Sequence, residues 1–67
     1  MTHNEIVNHT LDVVEGTRNS LMGIEKAAWA IFDEDTAACI STAIVRLNDA
    51  HCGIQEYMNE HKIEVTD

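Results

Sequence analysis

Hydrophobic residues recur at alternating intervals of three and four through both halves of this chain, and proline is absent throughout. This spacing places side chains on one face of an α-helix, whereas strand-like alternation is confined to residues 63–65. In the first half the face consists of Val7, Thr10, Val14, Thr17, Leu21, Ile24, Ala28 and Ile31. In the second half it consists of Ile40, Ile44, Leu47, His51, Ile54 and Met58. The pattern predicts an all-α protein built from two helices.

Capping residues mark where the two helices begin. Thr2 and Glu5 have the spacing of a capping box, in which the Thr side chain accepts from the backbone N–H three residues later. The acidic segment 33–35 is typical of a helix start, with Asp33 or Asp35 as the N-cap. We expect one domain over residues 1–67, with a first helix at about 4–32, a turn at 33–35 and a second helix at about 36–61. So short a turn makes the helices an antiparallel hairpin.

The last six residues, 62–67, are polar and follow the end of the second hydrophobic face. We expect this tail to fray. The alternative is that Ile63 and Val65 fold back onto an apolar flank of the hairpin.

A chain of 67 residues is too short to bury all of its apolar surface in a two-helix layer. Such surplus surface favours self-association, and the most common solution is a two-fold homodimer that forms a four-helix bundle. A higher oligomer or a permanent complex with a different protein is the alternative. The residues predicted to form the dimer core are Val14, Leu21, Ile24, Ala28, Ile31, Ile40, Ile44, Leu47, His51, Ile54 and Met58.

A second apolar flank on the first helix consists of Leu11, Met22 and Trp29, rotated away from the main face. Tryptophan is enriched among residues that dominate binding energy, and methionine provides an adaptable apolar surface. We therefore predict that these three residues bind a partner protein. The alternative for Trp29 is that it covers the open end of the bundle next to Phe32.

Polar residues interrupt the hydrophobic pattern at a few positions. His51 lies between Leu47 and Ile54 within the second face, where we expect it to fix the register of the helices; a pH-sensitive element in the dimer is the alternative. Arg18 and Glu25 lie beside the first face and are expected at its rim.

No arrangement of residues points to catalysis or to metal binding. The four histidines lack the spacing of a helical metal site, because none is paired with another at an interval of four. Cys39 and Cys52 have no basic cluster beside them and are too far apart along one helix to bridge. We expect two free thiols, or else a disulfide between subunits. The sequence predicts a protein that is not an enzyme and that uses no cofactor or metal.

Charge and targeting signals narrow the classes further. Twelve acidic against four basic residues give a net charge of −8, which argues against direct binding of nucleic acid. The first residues have no basic start followed by an apolar run, so a secretory signal is not expected, and no stretch is apolar enough to span a membrane. We expect a cytoplasmic protein that does not insert into a membrane.

The acidic turn FDEDTAA and the following helix CISTAIVRLNDAHCGIQEYM, after a capped first helix, resemble small helical-hairpin inhibitor proteins of temperate phages. These include inhibitors of bacterial CRISPR complexes and a type that binds LuxR-type quorum-sensing activators as a helical dimer. The resemblance implies a non-enzymatic homodimer that binds and inhibits a bacterial host protein in the host cytoplasm. The alternatives are a purely structural helical dimer, or an acidic DNA mimic that blocks a nucleic-acid-binding protein.

Overall fold

Two antiparallel helices account for nearly the whole chain, as the spacing predicts. The computed structural model describes residues 1–65. In it, α1 spans His3–Ile31 and α2 spans Glu34–Glu60, joined only by Phe32 and Asp33. The hairpin is 43 Å long, and its other two dimensions are 19 and 15 Å. Within the described part of the chain, neither helix is long and apolar enough to cross a membrane.

Both predicted caps are present. The Thr2 Oγ1 atom accepts a 3.2 Å hydrogen bond from the Glu5 N–H at the start of α1. Asp33 is the N-cap of α2, because its carboxylate accepts from the Thr36 N–H at 3.3 Å and from the Thr36 hydroxyl at 2.6 Å. The hydrogen bonds from Thr36 lower the pKa of Asp33 from its ordinary value of 3.8. Capping at Asp33 makes the turn shorter than the predicted residues 33–35 and starts α2 at Glu34.

The face of α2 that packs against α1 is the predicted one, extended by Ala37 at its start. Ile44 and Met58 are buried, as is Ala37. The remaining members of this face are half-buried: Ile40, Leu47, His51 and Ile54.

The face of α1 that packs against α2 differs from the predicted one. Val7, Val14, Leu21 and Ala28 are shared by both faces and do lie between the helices. At the positions that alternate with these four along the helix, however, the residues between the helices are Leu11, Arg18 and Glu25. The residues predicted for those positions are exposed: Thr10, Thr17, Ile24 and Ile31. The prediction that Arg18 and Glu25 lie at the rim is therefore wrong. Both are half-buried, because polar side chains of α2 form hydrogen bonds with them, as described below.

The tail folds back onto the hairpin through Ile63. Its side chain is 9% exposed and packs in a cluster with Leu11 and Met58. Lys62 takes a left-handed conformation with φ of 52°, and the Ile63 N–H then donates to the Met58 carbonyl at 2.8 Å. The expected fraying is thus wrong for Ile63, whereas Val65 is 67% exposed. Residues 66 and 67 of the predicted tail lie outside the described residues.

Candidate protein-binding surfaces

The hairpin is a single layer of two helices, so it has two broad faces, each formed by residues that flank the seam between α1 and α2. We call one the uncharged face, because none of the residues named in the next sentence is Asp, Glu, Lys or Arg; the exposed Arg46, one heptad before Gly53, borders it. It consists of Ile6, Thr10, Val13, Thr17, Ile24 and Ile31 from α1, and Ala43, Ala50, Gly53 and Tyr57 from α2. We call the other the tryptophan face. It consists of Met22 and Trp29 from α1, and Ser41, Val45 and Asn48 from α2.

Large aliphatic side chains are exposed on the uncharged face. Ile6, Val13 and Ile24 are each about half exposed, and Ile31 is 74% exposed. A shallow groove of about 340 Å³ runs along this face between the helices. It is lined by Ile6, Val7, Thr10, Ala50, Gly53, Ile54 and Tyr57. The only ionisable group in this lining is the Tyr57 phenol. The chemistry of the groove is therefore that of a binding site for an apolar side chain.

The end of the groove near Tyr57 is ordered by ring contacts. The Tyr57 hydroxyl and the His3 Nε2 atom are 2.8 Å apart and share a hydrogen bond that joins the start of α1 to the end of α2. The His61 ring packs edge-on against Tyr57, with the ring centres 4.1 Å apart. These contacts hold the Tyr57 ring at the groove wall.

Trp29 dominates the opposite face. It is 46% exposed, and its indole Nε1–H donates a 3.0 Å hydrogen bond to the Ser41 hydroxyl. The Ser41 hydroxyl in turn donates to the Glu25 carboxylate at 2.7 Å. Met22 and Val45, which are 55% and 58% exposed, extend the apolar surface of this face. The chain of hydrogen bonds orients the indole while leaving much of its ring surface open.

A second polar connection crosses the seam further from the turn. The Arg18 guanidinium donates through Nη1 to the Asn48 side-chain oxygen at 3.1 Å and through Nη2 to that of Asn19 at 3.4 Å. Its Nε atom is buried and has no hydrogen-bond partner among the described residues. The Arg18–Asn48 pair therefore repeats, one heptad away, the arrangement of Glu25 with Ser41.

The histidine predicted to set the register occupies a seam position. His51 is half-buried, and its Nε2 atom lies 3.8 Å from a carboxylate oxygen of Glu15. Glu25 with Ser41, Arg18 with Asn48, and Glu15 with His51 share one property: the two members of each pair are equally far from Asp33 in sequence. The three pairs thus define a single register for the antiparallel helices.

The structure divides the predicted dimer core into two groups. Nine of its residues lie between the two helices of one hairpin: Val14, Leu21, Ala28, Ile40, Ile44, Leu47, His51, Ile54 and Met58. Ile24 and Ile31 instead lie on the uncharged face, where a second molecule can reach them.

The predicted partner-binding flank is also divided. Met22 and Trp29 are exposed on the tryptophan face, but Leu11 is only 5% exposed and belongs to the hairpin core with Met58 and Ile63. Leu11 is therefore not part of a surface that a partner can contact. Its burial follows from the orientation of α1, which turns Leu11 rather than Thr10 toward α2.

Sequence reasoning did not identify Ile6, Val13 or Ser41 as surface or site residues. A signal for the first two was present, because one side of α1 carries no acidic or basic residue. The residues on that side are Ile6, Thr10, Val13, Thr17, Ser20, Ile24, Ala27 and Ile31. Ser41 had no such signal, because its role depends on two residues of the other helix.

The potential ligating and nucleophilic residues do not converge. In residues 1–65 no group of three or more His, Cys, Asp or Glu side chains is close enough to hold a metal ion. Cys39 and Cys52 are free and exposed.

A comparison of the chain with protein-family models, with curated proteins and with solved structures finds no match.

Proposed function

We propose that this chain is a non-enzymatic protein-binding module that works as a homodimer with a four-helix core. Its role would be to bind and inhibit a bacterial host protein, such as a LuxR-type quorum-sensing activator, as the resemblance to small phage inhibitors suggests. The observation that carries the proposal is Trp29, a large aromatic side chain that is held in place by Ser41 and is still 46% exposed.

Orientation of Trp29 before binding favours its use as an anchor. A side chain that is already immobilised loses less conformational entropy when a partner covers it. Its Nε1–H is satisfied by Ser41 within the hairpin, so a partner can bury the ring without leaving this donor unpaired. Met22 and Val45 enlarge the contact around the ring. The three residues together form an apolar patch within a polar surround, as the centre of a protein interface requires.

The homodimer is supported by the small size of the hairpin core. Only six hydrophobic residues are buried among residues 1–65, and no large side chain is fully buried. The chain is also elongated: its Cα radius of gyration is 14.6 Å, against about 11 Å for a compact domain of this length. A second copy supplies the apolar contacts that one hairpin lacks.

The test is affinity capture from a bacterial lysate, followed by titration of purified protein against a purified LuxR-type activator. We expect the wild type to retain a host protein and Trp29→Ala to lose at least about ten-fold in affinity, as for an interface hot spot. Trp29→Phe, which keeps an aromatic ring but has no N–H donor, reports on the role of orientation by Ser41. Val65→Ala is the matched control, since Val65 is exposed and lies at the end of the hairpin opposite to Trp29.

Two results would contradict the proposal. Equal capture by wild type and Trp29→Ala would remove Trp29 from the binding surface. A homodimer that retains no host protein and does not bind the purified activator would instead indicate a purely structural dimer.

A further inference from the structure

We propose that the groove on the uncharged face is a second binding site, and that it takes a cationic amphipathic helix of another protein. Apolar side chains of that helix fill the groove, and its Lys or Arg side chains face the carboxylates beside it. The inference goes beyond the proposed function, because the site does not include Trp29. It rests on the apolar lining of the groove and on the distribution of charge along the hairpin.

The net charge of the described chain is concentrated at one end of the hairpin. The turn half, residues 18–48, lies within fifteen residues of Asp33 and holds four acidic and three basic residues, a formal charge of −1. The open half, residues 1–17 and 49–65, holds seven acidic residues and one basic residue, a formal charge of −6. All the residues that line the groove belong to the open half. Trp29, Met22 and Val45 belong to the turn half, so the two surfaces differ in electrostatic potential.

Three carboxylates flank the groove on α2. Asp49 and Glu56 lie four residues before and three residues after Gly53, so they adjoin it on the outer side of the helix. Glu60, one heptad after Gly53, continues its row toward the open end. All three are exposed, and none forms an ion pair with a Lys or Arg side chain of residues 1–65. Arg46, one heptad before Gly53 and about 10 Å along the axis, ends the acidic stretch on the turn side.

The lining and the carboxylates together favour a cationic amphipathic helix as the occupant. A hydrophobic groove between helices receives the apolar face of a further helix in a common mode of peptide recognition. On α2 the lining extends from Ala50 to Tyr57, about two helical turns, so it can contact two successive turns of a bound helix. Lys and Arg side chains lay their aliphatic stems along apolar surface and keep their charged ends in water, where these carboxylates are. An anionic partner is instead repelled by the open half.

Binding of two designed peptides tests the chemistry of the occupant. The cationic helix LKKLLKLLKKLLKL and its anionic counterpart LEELLELLEELLEL have the same apolar face and opposite charge. Fluorescence anisotropy of each labelled peptide, titrated with the purified chain, gives the two affinities. We expect the cationic peptide to bind at least about 100-fold more tightly, and its affinity to fall between about 0.05 and 0.5 M NaCl because salt screens the attraction. Equal affinities of the two peptides would overturn the proposal.

Charge variants test where the cationic peptide binds. Glu56→Gln combined with Glu60→Gln removes two carboxylates beside the groove and should lower the affinity about five- to ten-fold. Glu34→Gln combined with Asp35→Asn removes two carboxylates from the turn half and is the matched control. It should lower the affinity less than about two-fold, because these positions lie roughly 20 Å from the groove, beyond the screening length. Equal losses in the two double variants would show a response to net charge alone and would overturn the groove as the site.

Gly53→Gln tests the groove without a change of charge. An added Cβ at Gly53 meets nothing within 4 Å, and glutamine favours a helix over glycine, so the hairpin accommodates the substitution. The longer side chain occupies the wall of the groove and should lower the affinity for the cationic peptide about ten-fold or more. Gly23→Gln has the same open space, lies in the turn half and should bind as the wild type does. Undiminished binding by a folded Gly53→Gln chain would contradict the proposal.

An NMR titration separates this site from the one around Trp29. The cationic peptide should shift the backbone amide resonance of Gly53 and leave those of Gly23 and of the Trp29 indole in place. Trp29→Ala should therefore bind the peptide with unchanged affinity. Shifts centred on Trp29 would overturn the groove as the site and leave host-protein capture through Trp29 standing. Shifts centred on Gly53, together with equal host capture by the wild type and Trp29→Ala, would support the groove and contradict only the proposed role of Trp29.

Discussion

The Ser41 hydroxyl and the Glu25 carboxylate, each eight residues from Asp33, are joined across the hairpin by a 2.7 Å hydrogen bond. The same hydroxyl accepts from the Trp29 indole at 3.0 Å. One small side chain of α2 thus satisfies a half-buried carboxylate and orients the exposed tryptophan. Stability of the hairpin and order of its proposed binding surface are therefore linked.

Replacement of Ser41 by alanine should lower the free energy of unfolding by about 1–3 kcal/mol, because a half-buried acceptor loses its donor. The same variant should shift and broaden the Trp29 fluorescence, since the indole loses its hydrogen bond. Urea denaturation and emission spectra measure the two effects. Thr42→Ala, which removes an exposed hydroxyl next to Ser41, should change the free energy of unfolding by less than about 0.5 kcal/mol. Equal behaviour of the two variants would contradict the role of Ser41.

Leu11 and Met22 were expected on the same exposed flank, and the structure separates them. Leu11→Ala should lower the free energy of unfolding by about 2–5 kcal/mol, because it leaves a cavity beside Met58 and Ile63. Met22→Ala, at a side chain that is 55% exposed, should change it by less than about 0.5 kcal/mol. Denaturation at a matched protein concentration is required, since the proposed dimerisation would contribute to apparent stability. Similar losses in both variants would contradict the orientation of α1.

The folded-back tail gives a second comparison. Ile63→Ala should lower the free energy of unfolding by about 2 kcal/mol, because Ile63 covers Leu11 and Met58. Val65→Ala should have little effect, as Val65 is 67% exposed. Hydrogen exchange gives an independent measurement: the Ile63 amide, which donates to the Met58 carbonyl, should be protected in the wild type. Rapid exchange at this amide would show that the tail does not dock.

Acid should weaken the start of α2 through Asp33. Hydrogen bonds from Thr36 hold the pKa of Asp33 below 3.8 in the folded chain. The ionised carboxylate therefore stabilises the fold fully above pH 3.8, and this contribution is lost as the pH falls through the lower pKa of the folded state. Thermal unfolding followed by circular dichroism between pH 6 and pH 2 measures the loss.

The control for this pH dependence is Asp33→Ser, which retains a capping oxygen but has no charge. Its thermal midpoint should fall less than that of the wild type over the same pH interval. A wild type and a serine variant with the same pH dependence would exclude Asp33 as its source.

Much of the fold could be predicted because its determinants are local. The caps at Thr2 and Asp33 and the regular spacing along α2 involve residues within one or two helical turns of each other. The packing face of α2 follows from that spacing alone, since no competing hydrophobic face includes Ile44 and Met58.

The packing face of α1 could not be predicted in the same way. Val7, Val14, Leu21 and Ala28 belong to two overlapping faces, one completed by Ile24 and the other by Glu25. Hydrophobicity favours the first, but Ser41 and Asn48 of α2 accommodate Glu25 and Arg18, and this information lies on the other helix. Docking of Ile63 is similarly non-local, since it depends on Leu11 at the far end of the sequence.

The pairs that cross the seam are nested around Asp33, and this order has a consequence for the speed of folding. Trp29 with Ser41 closes a loop of twelve residues, Arg18 with Asn48 one of thirty, and Asn8, whose amide donates to the Glu64 carbonyl, one of fifty-six. Each contact shortens the chain that the next must close, so the entropy lost at every step stays small. The contacts between the helices should therefore form first near the turn and then progressively away from it, and folding should take microseconds to milliseconds, as in helical proteins with local contacts.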